Sequence, residues 1–314
     1  MKNLHVNRLA PASLVAMAIL WGSTLVVLKD LLVVMDATDL VFVRFAIAAL
    51  ALLVIVPHAL VMASRTVLQG IALGLLFVAG QLASTWGLVD INASISGFLT
   101  GLYIVATPLL GWALFRTRPA SNIWAAVALS TLGLAALSLG SAGGGLGGGE
   151  LLTLLGAVLY ALHIIAIGRV VTPRTAMSLT LVQTLTIAAV TGVAAVPDGL
   201  TLPSTGGLWW ELAYLAILCG ALPLALQVWA QAHVEATKAA IVMGTEPLWG
   251  ALFAVALGGE SITLRLLLGG TAIMVAIAFV IAPVGRWRGR STRVRGRVTA
   301  ARRDTTAQVG ADAS

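Results

Sequence analysis

Apolar positions along this chain neither alternate nor keep to one helical face. They run unbroken. Residues 9–28, 45–64, 66–89, 91–115, 151–168, 175–197, 212–234 and 266–285 contain no Asp, Glu, Lys or Arg. A bilayer core about 30 Å thick takes roughly 20 helical residues to cross. No water reaches the backbone there, so each crossing has to satisfy its own hydrogen bonds as a helix. Solid runs of this kind lack the two-residue alternation of barrel strands. Dividing the longer stretches predicts ten spans, at 10–28, 38–56, 67–87, 92–114, 122–140, 151–168, 176–196, 209–231, 238–257 and 264–282. The expected fold class is an all-α polytopic membrane protein.

The loops between the spans sort by charge. With the N-terminus inside, Lys2, Arg8, Arg65, Arg116, Arg118, Arg169, Arg174, Lys238 and the C-terminal arginines fall on one side. The other side receives Lys29 and Arg265 among Asp30, Asp36, Asp39, Asp90, Glu150, Asp198, Glu211 and Glu260. Positive charge is retained in the cytoplasm, so both termini are expected there, with the chain threaded through the inner (cytoplasmic) membrane. An even number of spans agrees. The net charge of +7 comes mostly from residues 286–303, RWRGRSTRVRGRVTAARR. Without apolar periodicity this tail is expected to be disordered and to touch anionic lipid headgroups rather than nucleic acid. Trp112, Trp124, Trp209 and Trp210 stand near span ends, where an aromatic belt would lie. The single cysteine, Cys219, sits in an apolar run and reads as a small core residue.

The two halves align at an offset of 139 residues. Ala18 maps to Ala157, Trp21 to Tyr160, Leu40 to Leu179, Ala49 to Ala188 and Val54 to Val193. After a four-residue insertion Trp86 maps to Trp229 and Gly101 to Gly244, and the first offset then returns with Pro108 on Pro247 and Gly111 on Gly250. Five spans per half is an odd number. A direct sequence repeat therefore becomes an inverted structural one, a recurrent carrier design in which exchanging the halves' conformations exchanges access from the two sides. The expected organisation is a cytoplasmic segment 1–9, a five-helix repeat 10–140, a Gly-rich linker 141–149, a second five-helix repeat 150–283 and a basic tail 284–314.

The stretches AILWGSTLVVLKDLL (18–32), VRFAIAALALL (43–53), GFLTGLYIVATPLLGWALFRTRP (97–119) and TEPLWGALFAVALGGE (245–260) together resemble the EamA family of the drug/metabolite transporter superfamily. The resemblance runs from about 13 to 282 and implies ten helices in two inverted five-helix repeats, and transport of small metabolites, often export. It names no substrate.

Glu246 is the sharpest candidate, because a charged side chain within a span costs about 2.5–3.5 kcal/mol and such residues face a cavity or a partner. Pro247 has no N–H, so it breaks the helix there and leaves the Met243 carbonyl without its usual donor. Pro108 is the matching break in the first half. Arg44 could attract an anionic substrate group or pair with Asp39 or Asp36. Lys29 reads as an interfacial anchor. His163 could relay protons or be a hydrogen-bonded core histidine. Gln81, Gln183 and Gln227 could line a pathway or bond between helices, and Gln183 occupies the repeat position of Arg44. Trp21, Trp86, Tyr103, Tyr160, Trp229 and Trp249 could form an aromatic wall, and Gly97 and Gly101 permit close helix contact.

No phosphate-binding loop ending in Gly-Lys-Ser/Thr, no His-Glu-x-x-His and no Gly-x-Ser-x-Gly occurs. No catalytic residue, cofactor or metal is expected, and uphill movement of a solute would draw on an ion gradient. The reading is a secondary carrier of small amino-acid-like or drug-like metabolites, an exporter with alternating access and proton coupling. The alternative is an intramembrane enzyme acting on lipid-linked substrates, which would need catalytic groups clustered at one membrane face. Oligomeric state, including a homodimer, stays open. The topology has a direct test. A cysteine placed at Gly145, with Cys219 replaced, is expected to react with an impermeant maleimide from outside the cell. Labelling only from the cytoplasmic face overturns the orientation.

Overall fold

In the computed structural model of the protein, residues 2–116, 121–138, 146–195, 199–234, 239 and 242–281 are described. They fall within one compact unit, Met1–Ala282. The expected boundary at 140, most of the Gly-rich linker, Arg118, Asp198, Lys238 and the basic tail lie outside the described residues. The described residues are helical, with no strand among them.

Among the described residues ten helices of at least ten residues follow one another. They are α1 (Lys2–Leu31), α2 (Ala37–Ile55), α3 (Ser64–Asp90), α4 (Ala93–Phe115), α5 (Ser121–Ser138), α6 (Gly148–Val170), α7 (Ala176–Ala195), α8 (Gly206–Gln231), α9 (Glu246–Ala256) and α10 (Leu264–Ile281). Seven helices carry a stretch long and apolar enough to cross a membrane: Leu9–Leu31 of α1 and the whole of α2, α3, α4, α6, α7 and α8. The apolar stretches Trp124–Gly133, Glu246–Ala256 and Leu266–Ala276 are shorter. In α9 the reason is local. Gly244 and Thr245 form a turn, and Pro247, which can start a helix but not continue one, fixes the start at Glu246.

Two further helices are interrupted. In α4 the interruption falls at Leu102, between Ala93–Gly101 and Tyr103–Phe115. It does not fall at Pro108, where the repeat predicted it; the helix runs through that proline. In α8 a π-helical turn, Ile217–Ala221, separates Gly206–Ala216 from Leu222–Gln231, with Pro223 immediately after it.

Packing between helices follows a simple rule. Exchange each helix for the one five places later and the main contacts map onto themselves. α3 packs on α6 as α8 packs on α1, α3 on α7 as α8 on α2, and α1 on α9 as α6 on α4, while α2–α7, α4–α9 and α5–α10 map onto their own pairs. The closest of these contacts use small residues, as expected where lipid tails give helices no hydrophobic reason to associate. A Cβ on Gly70 would lie 2.6 Å from Val182 Cβ, and one on Gly74 would lie 2.7 Å from Thr186 Cβ and 3.0 Å from the Gln183 carbonyl. α3 and α7 therefore approach backbone to backbone. Leu14, Met17, Ile104 and Ile164 fill the centre and are fully enclosed.

Polar contacts also tie helix ends together. The Lys29 ammonium donates to the carbonyls of Leu88 (2.7 Å), Val89 (3.0 Å) and Ile91 (2.7 Å), closing the C-terminus of α3, with Asp90 and Glu260 near enough to interact with it. Lys29 is thus an anchor with defined acceptors, cationic where a helix end is negative. Glu260 accepts from the Ser94 N–H and hydroxyl at the start of α4. Elsewhere, the Arg169 guanidinium at the end of α6 lies 3.7 Å from the centre of the Phe115 ring at the end of α4.

Valine at Gly74 has to push α3 off α7. The expected cost is about 1–3 kcal/mol of stability, read as an earlier unfolding transition in detergent. Alanine at Gly207, where nothing stands within 4 Å of an added Cβ, is expected to stay within about 0.5 kcal/mol.

Candidate functional site

The interruptions in α4 and before α9 meet inside the bundle. Gly101, the last residue before the break in α4, lies directly against the Pro247 ring, and a Cβ there would collide with it. The Tyr103 hydroxyl, one residue past the α4 break, is 3.0 Å from the Met243 carbonyl and 3.1 Å from Glu246 Oε2. Met243 is four residues before Pro247, so its carbonyl is the one the proline cannot serve. Tyr103 supplies the missing donor from the other half of the chain.

A second proline is served in the same way. Pro223 cannot donate to the carbonyl of Cys219, and Arg44 Nη2 does so instead at 2.6 Å. Arg44 Nε donates to the Leu215 carbonyl at 3.1 Å, on the near side of the π-turn. The ion pair with Asp39 anticipated as one reading of Arg44 does not form. Asp39 Oδ2 accepts from the N–H (2.8 Å) and hydroxyl (2.6 Å) of Thr201, and Arg44 is 2% exposed. The reason is depth: α2 carries Arg44 inward to α8, while Asp39 stays at the helix start, where the loop carrying Thr201 crosses. Among the described residues Arg44 Nη1 has no hydrogen-bond partner.

These groups border a cavity of about 70 Å³, with Trp21, Phe77, Tyr160, His163 and Gln227 in the same wall. Its aromatic side is organised by Phe77, whose ring centre lies 5.4 Å from Tyr160, 5.1 Å from His163, 6.0 Å from Phe45 and 6.4 Å from Trp21. The Tyr160 hydroxyl donates to Gln81 Oε1 at 3.2 Å, and Gln81 Nε2 donates to Thr85 Oγ1 at 3.1 Å. His163 Nε2 meets Gln183 Oε1 at 2.7 Å, while Gln183 Nε2 donates to the Leu179 carbonyl at 3.1 Å. The second bond orients the amide, so the Gln183 oxygen accepts and His163 Nε2 carries the proton. Gln227 Oε1 is buried without a partner.

The structure therefore brings together Glu246, Arg44, His163, Gln81, Gln227 and Tyr103 around one space. It leaves out three aromatic residues, Trp86, Trp229 and Trp249, the last of which packs on the hydrophobic core instead. Trp86 is 45% exposed and does not border the cavity, because α3 turns Phe77, Gln81, Ser84, Thr85 and Leu88 inward and the helical period carries Trp86 off that face. Trp229 sits two positions from the inward Gln227 and packs its ring on His233, with centres 4.7 Å apart. Phe77 and Thr85 escaped the sequence reading. Phe77 differs in no visible way from other apolar residues of its span. The Met243 carbonyl was named from the sequence, as the one four residues before Pro247, but its pairing with Tyr103 was not.

The sequence model of the EamA-like transporter family matches residues 9–139 and 147–282. An uncharacterized transporter of Archaeoglobus fulgidus is 26% identical over 276 residues, 88% of this chain and 87% of that protein. A solved crystal structure, titled only as that of a protein, superposes with a TM-score of 0.56 at 16% identity, over 88% of this chain and 96% of that one. At that identity the likeness concerns the fold alone.

Replacing Tyr103 by Phe removes the donor to Met243 and keeps the ring. Hydrogen bonds between membrane helices are worth about 0.6 kcal/mol and at most about 1.7. A loss of stability in that range is expected, read by thermal unfolding in detergent. An unchanged transition means that the Met243 carbonyl has another donor.

Proposed function

The chain belongs to the EamA-like transporter family, and from that premise we propose that it is a secondary carrier that exports small metabolites by alternating access, coupled to protons through Glu246. It is a multi-pass membrane protein with seven helices of membrane-crossing length and composition, and a carrier of this family implies a small-molecule substrate. The exchange symmetry of the helix contacts supports two inverted five-helix halves. In that reading the halves trade places around the central cavity, and the termini face the cytoplasm.

The observation that carries the coupling is the single proton of Tyr103. Its hydroxyl stands within hydrogen-bonding distance of two acceptors, the Met243 carbonyl and the Glu246 carboxyl group, and it can donate to one at a time. When Glu246 is charged, the charge-assisted bond is the stronger and draws the Tyr103 proton. The carbonyl freed by Pro247 is then left without a donor inside the bundle. When Glu246 is protonated, it donates to the Tyr103 oxygen and the tyrosine turns its own proton to Met243. Loading and unloading a proton on Glu246 thus closes and opens the patch on the helix break between the halves. Protonation also lowers the cost of enclosing Glu246 while the cavity is shut.

A metabolite survey of medium from cells with and without the protein identifies the exported solute. Transport of that solute is then measured in proteoliposomes with an imposed pH gradient. The variant Glu246→Gln holds the neutral shape permanently. It is expected to fold, to retain part of passive exchange and to lose proton-driven accumulation. Accumulation at the wild-type rate by Glu246→Gln assigns coupling to another residue and overturns the proposal.

A further inference from the structure

Arg44 is a buried cation whose hydrogen-bond partners are two main-chain carbonyls. Neither carries a formal charge, and among the described residues no carboxylate stands within ion-pairing distance of the guanidinium. An enclosed charge without a counter-ion is unfavourable, and an arginine stays charged under any condition a cell offers. Two of its nitrogens are oriented by the carbonyls of Leu215, before the π-turn of α8, and Cys219, within it. The third, Nη1, is buried, has no hydrogen-bond partner among the described residues, and belongs to a side chain that borders the central cavity. The pattern is that of a receptor completed by a ligand: two nitrogens are spent on orientation and the third is left to donate to a ligand's oxygen.

We propose that the central cavity binds the carboxylate group of an organic acid, with Arg44 Nη1 as its charged donor. This rests on the reading of the cavity as the substrate site of a carrier, and it adds the class of substrate. Three observations select a singly charged planar anion. Arg44 is the one arginine or lysine among the cavity-lining residues, so a dianionic phosphate would be only half compensated. Glu246 borders the same space and opposes a second negative charge. The cavity volume of about 70 Å³ is less than half of the ~150 Å³ that holds a benzene ring in an apolar cavity. It suits the head of a small acid, with Phe77, Tyr160 and Trp21 against the carbon portion. Gln227 Oε1, also buried and unpartnered, needs a donor, which a water bound beside the carboxylate supplies. The repeat position of Arg44 in the second half is Gln183, which is neutral and already bonded to His163. The anion site therefore occurs once, on the α2–α8 side.

The test uses the purified full-length protein in detergent, with propionate as probe and propionamide as its neutral isostere. Sodium chloride and inorganic phosphate at matched ionic strength are the remaining arms. Propionate is expected to raise the unfolding midpoint in a saturable manner, with propionamide inert and phosphate no better than chloride. In Arg44→Gln the apparent affinity for propionate is expected to fall by about tenfold or more, since hydrogen bonds to charged groups are worth about 1.5–3 kcal/mol. Equal protection by propionamide, chloride or phosphate overturns the carboxylate assignment, as does undiminished propionate binding in folded Arg44→Gln. The propionate–propionamide comparison is made on the wild type and decides the matter even if Arg44→Gln does not fold. Failure here with proton-driven export intact overturns the head-group assignment alone. Propionate selectivity that stands while Glu246→Gln exports normally overturns the coupling and leaves the anion site in place.

Discussion

A backbone carbonyl that loses its helical donor within a bilayer has no water to turn to, so another group of the protein must take the donor's place. In this molecule that requirement determines where the polar side chains go. Pro247 releases the carbonyl of Met243, and Tyr103 reaches across to it. Pro223 releases the carbonyl of Cys219, and Arg44 reaches across to it. At the end of α3, Lys29 collects the carbonyls of Leu88, Val89 and Ile91. In each case a side chain from the first half serves the backbone of another helix, and for Arg44 and Tyr103 that helix belongs to the second half.

The same bonds join structure to chemistry. A proline break patched by a side chain is a place where the helix can change course at modest cost, because one hydrogen bond, not a whole turn, holds it. Tyr103 holds its break with a proton that Glu246 can claim. Arg44 holds its break with two nitrogens and leaves the third to the cavity. A proton on Glu246 and an anion on Arg44 would therefore act on the two interrupted regions of the second half, at α9 and α8. Gly101 against Pro247 and Gly74 against Thr186 keep the halves close enough for such short reaches.

Much of the architecture could be read directly from the order of residues. Uncharged runs of membrane length admit one solution, the helix, and among the described residues seven helices carry a stretch that could cross a membrane, with three shorter apolar ones. The pairing of Pro108 with Pro247 marked the halves, yet the two prolines behave differently. Pro247 starts a helix after the turn at 244–245, whereas Pro108 lies inside one and the α4 break falls at Leu102. A proline removes a donor at a known position, but neighbouring packing decides whether the helix opens there. Trp86 and Trp229 illustrate the other shortfall. Their residue type suited a cavity wall, but which way a span is rotated depends on contacts with its neighbours, and a run apolar on all sides carries no record of that rotation.

Composition and charge pattern alone thus determined that the chain is a helical membrane protein, and that Glu246, Arg44 and Pro247 are costly enough to need a reason. They did so because burial in lipid penalises charge and unpaired backbone so steeply that every exception is visible in the sequence. Which exceptions meet was settled only in three dimensions. Arg44 turned from Asp39 to the carbonyls of α8, His163 was tied to Gln183, and Tyr103 came to stand between Glu246 and Met243. Those partners lie 20 to 175 residues away along the chain, and hydrogen bonds of about 3 Å between them depend on helix rotation and depth, which uniform apolar runs do not encode.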